Sequence, residues 1–437
     1  DEVYVYGSFL QSKMYHAGVT CSDCHEPHSM QLRQQGNGVC LQCHAAGKFD
    51  TEKHHFHKAD TKGALCAECH MPARNYMVVD PRHDHSFRIP RPDLSVNLET
   101  PNACNQCHTD KDAAWAAAQA KKWYGRSPIG HQQFANALDA GRTGDTRAGR
   151  LLAEQINKVD TPDIARASAI SLLPRYLDQS TLSVIQKGLE DDDAKVRLAS
   201  IGALEGLQPA MLVQLAFPLL DDPVRSVRIE AARVLAPVPV GELQGEQLSI
   251  YRKAADEYIA SQTVNAERPE AQLNLANYYV ARREEAKAEA ALKKAIGLED
   301  VFVPAYINLA DIYRMQGKDA EAYRVLSEAR QLAPGNADVR HALGLVLVRQ
   351  EKTEQAVEEL EAAARLMPEN VRYTYVYAVA LNSTGKPKEA IEQLQIAHER
   401  FPDNIQILQA LIAFNRDAGN AFAAERYMKK LEKVSPN

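Results

Sequence analysis

The sequence predicts a mostly all-α chain, in which a loop-rich first quarter is followed by an α-solenoid. Three observations carry that expectation. Cysteine occurs only between residues 21 and 107, always within Cys-x-x-Cys-His, in a stretch punctuated by glycine and proline. Arginine and leucine then recur every 31 residues between Arg166 and Leu235. Alanine and proline recur every 34 residues from Ala322 onward. Periods of this size belong to stacked helix pairs, each of which covers its apolar face only by lying on its neighbours. The expected segments are 1–110, a bridge over 111–146, a first repeat array over 147–240 and a second over 245–437.

The four motifs use all eight cysteines of the chain. They are Cys21, Cys24 and His25; Cys40, Cys43 and His44; Cys66, Cys69 and His70; and Cys104, Cys107 and His108. Cys-x-x-Cys-His is the attachment signature of c-type haem. Two sulfurs three residues apart on one helical turn can form thioethers to the two vinyl groups of one haem. The following histidine then serves as the proximal ligand of the iron. Structural zinc could use Cys-x-x-Cys pairs, but it does not demand a histidine after each. The cofactor expected is therefore haem c, four copies, covalently held. Gly36, Gly38, Gly47, Gly63, Pro27 and Pro72 separate the motifs as turn signals. Little regular structure is expected before about residue 110, with the macrocycles supplying the core that so short a segment lacks.

Each iron has a second axial position. Of the ten histidines outside the motifs, seven lie in this region: His16, His28, His54, His55, His57, His83 and His85. The distal candidates are His16, His28, His57 and His85, with His54 in reserve; His85 is preferred to His83. Met14, Met30, Met71 and Met77 are thioether alternatives, which would raise a potential.

The paired motifs, His28 three residues after His25, and the run Cys69-His70-Met71-Pro72 resemble the multihaem c-type cytochromes with doubled CxxCH motifs. That group holds electron carriers and also enzymes such as hydroxylamine oxidoreductase. The resemblance implies haem c at the four motifs and histidines as distal ligands. Its members with helical repeats usually carry further haem motifs upstream. Residue 1 is Asp, and no leader precedes it, so a processed or excised chain is expected.

Residues 112–124 are alanine-rich and should form a helix stopped at Gly125, with Trp115 and Trp123 on one side. Phe134 and Leu138 suggest a second helix ending by Gly141. The octads beginning at Arg166, Arg197 and Arg228 resemble HEAT-like repeats, and the aspartates at 191–193 and 221–222 are expected to cap helices. In the second array, Ala322, Ala356, Ala390 and Ala424 keep the 34-residue spacing, as do Pro334, Pro368, Pro402 and Pro436. Small residues at Ala310, Gly344 and Ala378 fall where paired helices cross. This resembles the tetratricopeptide repeat (TPR), with four clear units from about 301, a weaker one over 269–298 and a leading helix near 248–260. Tyr278, Tyr306, Asn308, Tyr313 and Tyr373 are candidates for a groove that receives a partner.

Charged residues make up 25% of the chain and the net charge is −6, which argues against a nucleic-acid partner. No apolar stretch approaches the length of a membrane span. The leading expectation is electron transfer through the haems, with the solenoid docking a redox protein partner, in the periplasm or at the cell surface. One alternative is a multihaem oxidoreductase acting on a small nitrogen or sulfur compound at an open haem. A second is a structural or filament-forming cytochrome, so an oligomer is also compatible with the sequence. No catalytic residue is assigned.

Overall fold

The computed structural model describes residues 4–239, 241 and 243–434. The chain is mostly α-helical, and it divides into two compact units, Asp1–Glu257 and Tyr258–Asn437. Among the described residues no helix is long and apolar enough to cross a membrane.

In the first unit, residues up to 110 form short helical turns and loops. One feature there was not expected. The segments Ala73–Tyr76 and Asp80–His83 pair as an antiparallel hairpin, with Ala73 opposite His83 and Tyr76 opposite Asp80. Phe9, Leu10, Ala64 and Pro92 are the apolar residues buried before residue 110, among those described. Four such side chains are too few to hold a segment of this length together.

The first helix longer than two turns is Ala113–Tyr124. The Asp112 carboxylate caps it by accepting the Trp115 N–H at 2.7 Å. Gly125 ends it at φ +71°, where a residue without Cβ is favoured. The next helix, Ala135–Thr143, runs past the expected stop. Gly141 is not a terminator. It is buried within the helix, where a Cβ would lie 3.0 Å from Leu152, and the left-handed stop is Gly144.

The 31-residue period corresponds to alternating helices, among them Asp163–Leu172, Gln179–Gly188, Ala194–Gly202, Pro209–Ala216 and Arg225–Val234. Its leucines, Leu173, Leu204 and Leu235, are fully buried. Its arginines each reach an acid further along the chain. Arg166 pairs with Asp191, Arg197 with Asp222 at 2.7 Å, and Arg228 with Glu257 at 2.9 Å. Of the aspartates expected to cap, Asp193 does so by accepting the Lys195 N–H at 2.8 Å, whereas Asp222 accepts the Val224 N–H at 2.8 Å ahead of the helix Arg225–Val234, which has no side-chain cap.

The second unit is a run of five helix pairs. These are Pro269–Ala281 with Glu285–Leu298, Val303–Met315 with Asp319–Leu332, Ala337–Arg349 with Thr353–Leu366, Val371–Ser383 with Pro387–Arg400, and Ile405–Asp417 with Ala421–Val434. Ala322, Ala356, Ala390 and Ala424 are all buried. Pro334, Pro368 and Pro402 follow second helices, where the chain must turn; Pro436 lies outside the described residues. Gly344 allows the closest approach, since a Cβ there would stand 2.7 Å from Leu360 Cγ.

The tyrosines do not line a groove. Tyr278, Tyr306, Tyr313 and Tyr373 are buried in the core. The last three turn their hydroxyls to polar partners: the Asp300 carbonyl, the Glu289 carboxylate and Asp338. A tyrosine whose hydroxyl is satisfied can be buried as readily as a phenylalanine. Asn308 is half-buried and donates to Asn277 at 2.8 Å.

His341 is buried with its ring stacked on Tyr373 at 4.5 Å, and neither of its ring nitrogens has a hydrogen-bond partner. Burial, then the Arg372 charge, pushes its pKa down to about 4. An unfolded histidine binds a proton below about 6.5, whereas the folded one remains neutral until about pH 4. Stability is therefore present above about pH 6.5 and is lost as pH falls toward 4, by about 3 kcal/mol. Thermal unfolding followed by circular dichroism at pH 7 and pH 4.5 should show this loss. His341→Phe should remove much of it, and an unchanged pH dependence in that variant would refute the assignment.

Candidate functional site

The thiols of the motifs sit on single helical turns. Cys21–Cys24, Cys66–His70 and Cys104–Cys107 are such turns, and Cys40 lies on the turn Gly38–Leu41. The first is fixed by a capping box, in which the Asp23 carboxylate accepts the Thr20 N–H at 2.7 Å. None of the eight thiols is in a disulfide, and all are exposed or half-buried.

Consecutive motifs are neighbours. The Cys43 charge reaches Cys24, whose thiol is pushed up first by burial and then by the charges around it. The Cys40 and Cys66 thiols are near enough to act on each other, which raises the first and lowers the second. Burial pushes Cys69 up to about 11, with Cys104 and Cys107 as the nearest added charges. Asn37 ties the middle pair together. Its amide donates to Asp50 at 2.8 Å and to the Ala64 carbonyl at 2.9 Å, while its oxygen accepts the Cys66 N–H at 2.8 Å. Asn105, inside the fourth motif, ties that motif to the chain that follows it, donating to the Lys111 carbonyl at 2.8 Å.

Three motif histidines face a histidine from elsewhere. The centroids of His25 and His85 are 6.3 Å apart, those of His70 and His54 are 6.1 Å apart, and those of His108 and His57 are 6.2 Å apart. With metal–nitrogen bonds of about 2 Å on each side and the ring radii added, two imidazoles on opposite faces of one iron have centroids roughly 6 Å apart. The residues therefore fit a haem iron held between two histidines. The hydrogen bonds agree. His25 Nδ1 pairs with the Met30 carbonyl at 2.9 Å, His70 Nδ1 with that of Arg88 at 2.7 Å, and His85 Nδ1 with that of His83 at 2.9 Å. A Nδ1–H so engaged leaves Nε2 as the ligand atom. Burial holds His54 and His85 below the ordinary histidine range, which keeps a lone pair available on each.

The remaining candidates are placed differently. His57 lies over Gly63, where a Cβ would come within 2.3 Å of its ring. His54, held in reserve on sequence, is as well placed as His57. His44 has Phe49 edge-on at 5.6 Å, and among the described residues no imidazole faces it at axial spacing. His28 is exposed, and its N–H bonds the Glu26 carboxylate. His16 faces not a motif histidine but His131, at 6.1 Å. His83 Nδ1 bonds the Met71 carbonyl, and Met30 and Met77 are exposed. Aromatic residues support the fourth site: Trp115 packs on His108 at 4.9 Å, and Trp123 on Phe56 at 4.9 Å and His57 at 5.9 Å. Their share in the site was not visible in the sequence, nor was that of His131, which lies 23 residues beyond the last motif with no neighbouring cysteine.

Comparison with known proteins adds the following. Residues 14–49 match the model of the doubled CXXCH motif, and residues 303–346 and 341–405 match models of the tetratricopeptide repeat. Solved structures similar to the chain include MamA, at 19% identity over 38% of this chain and 91% of that one, with a TM-score of 0.34. A MamA fragment from Desulfovibrio magneticus RS-1 matches at 20% identity over 38% and 94%, with a TM-score of 0.34. YrrB, described as a TPR protein with an unusual peptide-binding site, matches at 22% over 41% and 92%, again at 0.34. No curated protein matches. The doubled CxxCH motif indicates covalent c-type haem, and tetratricopeptide repeats are protein-interaction scaffolds. The chain thus joins a doubled-CxxCH segment of multihaem cytochrome c type to tetratricopeptide repeats.

Proposed function

We propose that this chain conducts electrons through four covalently bound haems, in the order of their motifs, and that its helical repeats dock a redox protein partner. The observation that carries this reading is the proximity of successive motifs, close enough for their thiols to act on one another electrostatically. The charge of Cys43 acts on Cys24, Cys40 and Cys66 act on each other, and the charges of Cys104 and Cys107 act on Cys69. When bound, the haems supply one-electron iron(III)/iron(II) chemistry, with potentials set by ligands and burial. The chain's own residues fix where that happens. Asn37 holds the third motif to the turn that carries the second through the Cys66 N–H, and Asn105 holds the fourth motif to the residues that follow it. His85 with His25, His54 with His70, and His57 with His108 would hold three of the irons. The 147–240 helices, HEAT-like in their period, and the tetratricopeptide repeats offer extended surfaces for the partner. Because thioether attachment normally takes place outside the cytoplasm, the periplasm or cell surface is the proposed location.

The test is a pyridine haemochrome count with visible and EPR spectra of the oxidised protein. Four covalent haems with at least three low-spin irons support the reading. No covalent haem would sink it. A second reading rests on His44, which Phe49 rather than an imidazole approaches. An open iron there would bind a small nitrogen or sulfur compound, and a high-spin signal lost in the Cys40→Ala, Cys43→Ala variant would point to that enzyme.

A further inference from the structure

A fourth pair of facing imidazoles belongs to no motif. His16 and His131 have centroids 6.1 Å apart, the spacing of the three pairs built on motif histidines. We propose that His16 and His131 are the axial ligands of an additional haem that no cysteine of this sequence anchors.

The pair is held by a built network. Gln132, the residue after His131, is buried, and its amide donates to the Gln11 carbonyl at 3.2 Å and to the Ser86 carbonyl at 2.7 Å. Gln11 immediately precedes Ser12, which is fully buried and caps the turn Lys13–His16 by accepting the Tyr15 N–H at 3.0 Å. One side chain thus fixes the backbone that carries both ligands. Below them lies a small aromatic cluster, with Phe9 edge-on to Tyr15 at 5.6 Å and to Phe87 at 6.2 Å.

A second observation is independent of the spacing. His131 Nε2 is shielded from solvent and has no hydrogen-bond partner. Leaving such an atom unpaired destabilises the fold, and a bond from this nitrogen to iron would remove that cost. The surroundings suit a porphyrin. Tyr15 lies edge-on to His16 at 5.3 Å, and Ile129, two residues before His131, is exposed. Lys13 is near enough for its charge to act on His131, and a haem propionate needs such a cation. Both ligands lie outside every Cys-x-x-Cys-His of this sequence, so a haem bound here makes no thioether to it.

The experiment counts covalent and extractable haem separately on the full chain. Acid–acetone removes only haem that lacks thioethers, and the pyridine haemochrome distinguishes the two kinds. Chain freed of extractable haem is then titrated with hemin. The expected result is uptake of one equivalent per chain with a low-spin spectrum. His131→Ala and His16→Ala should each abolish that uptake and leave the covalent count unchanged, while His131→Met, which keeps a ligand atom, should restore it. Saturable uptake of no hemin would overturn the proposal, as would uptake indifferent to both alanine variants. It is equally overturned if His131→Ala turns a covalent haem high-spin, since His131 would then cap a motif iron. A covalent count of zero would refute the electron-transfer reading above, whereas the hemin titration decides this one.

Discussion

A chain in which Cys66 and Cys69 are both alanine is expected to carry three covalent haems instead of four, and to lose electron flow between its two ends. The first effect follows from chemistry, since without either sulfur no thioether can form at the third motif. The second follows from position. Cys66 is near enough to Cys40 of the second motif, and Cys69 to Cys104 and Cys107 of the fourth, for their thiols to act on one another. Emptying the third site therefore separates the first two sites from the last. The Cys21→Ala, Cys24→Ala variant is the control. It should also hold three haems, yet the remaining three sites stay contiguous. Haemochrome counts and the time course of stopped-flow reduction distinguish the two variants. The third-motif variant should show one slow, isolated haem, and the first-motif variant a single connected set. Identical reduction courses for the two would refute the proposed order. The third-motif variant should also be the less stable, because a segment with four buried apolar residues depends on what fills its centre.

The features that sequence reveals here are those that repeat or react. Ala322, Ala356, Ala390 and Ala424 advertise their spacing because every unit makes the same helix contact, and all are buried. The cysteines advertise the haem region because their chemistry fixes their spacing. Axial pairing has no such signal. His85 follows its partner His25 by 60 residues, whereas His54 and His57 precede theirs. Which histidine faces which is a property of chain packing, and it brings His54, held in reserve on sequence, opposite His70 and sets His16 beside the unsuspected His131. Tyrosines mislead for a related reason. Their composition suits a groove and a core equally, and only hydroxyl partners such as the Asp300 carbonyl reveal that Tyr306 belongs to the core. The hairpin at Ala73–Tyr76 and Asp80–His83 was hidden by the proline at 81, which the strand tolerates because this two-stranded sheet is all edge.

The arginine period was legible without its purpose, and its purpose has a large measurable consequence. Arg197 donates to Asp222 through Nε at 2.7 Å and through a terminal nitrogen at 3.0 Å, and the Asp222 side chain is only 4% exposed. Arg197→Ala strands that carboxylate in a nearly dry site. Breaking a buried pair from one side costs about 3–5 kcal/mol, so a urea transition at pH 7 followed by circular dichroism should move by that amount. Arg233 offers the contrast. Its partner Glu205 is largely exposed at 2.9 Å, and Glu205→Ala should cost about 1 kcal/mol or less. Acid provides a second check. Burial pushes the Asp222 carboxyl up, but the bonds from Arg197 and the Val224 N–H, with the charges of Arg197 and Arg228, together hold it below the usual carboxylate range. A carboxyl whose pKa is lowered by folding adds stability above its unfolded value of about 3.9 and loses it as pH falls through the folded one. The variant has lost the largest of those compensations and keeps the burial, so Asp222 should take up its proton at higher pH than in the parent. The penalty for Arg197→Ala should therefore be greatest near neutrality and shrink toward pH 4, where a neutral Asp222 no longer needs a cation. A difference below about 1 kcal/mol at pH 7 would mean that this ion pair is no stronger than a surface contact. Replacing both partners with apolar residues of similar volume should recover most of the loss.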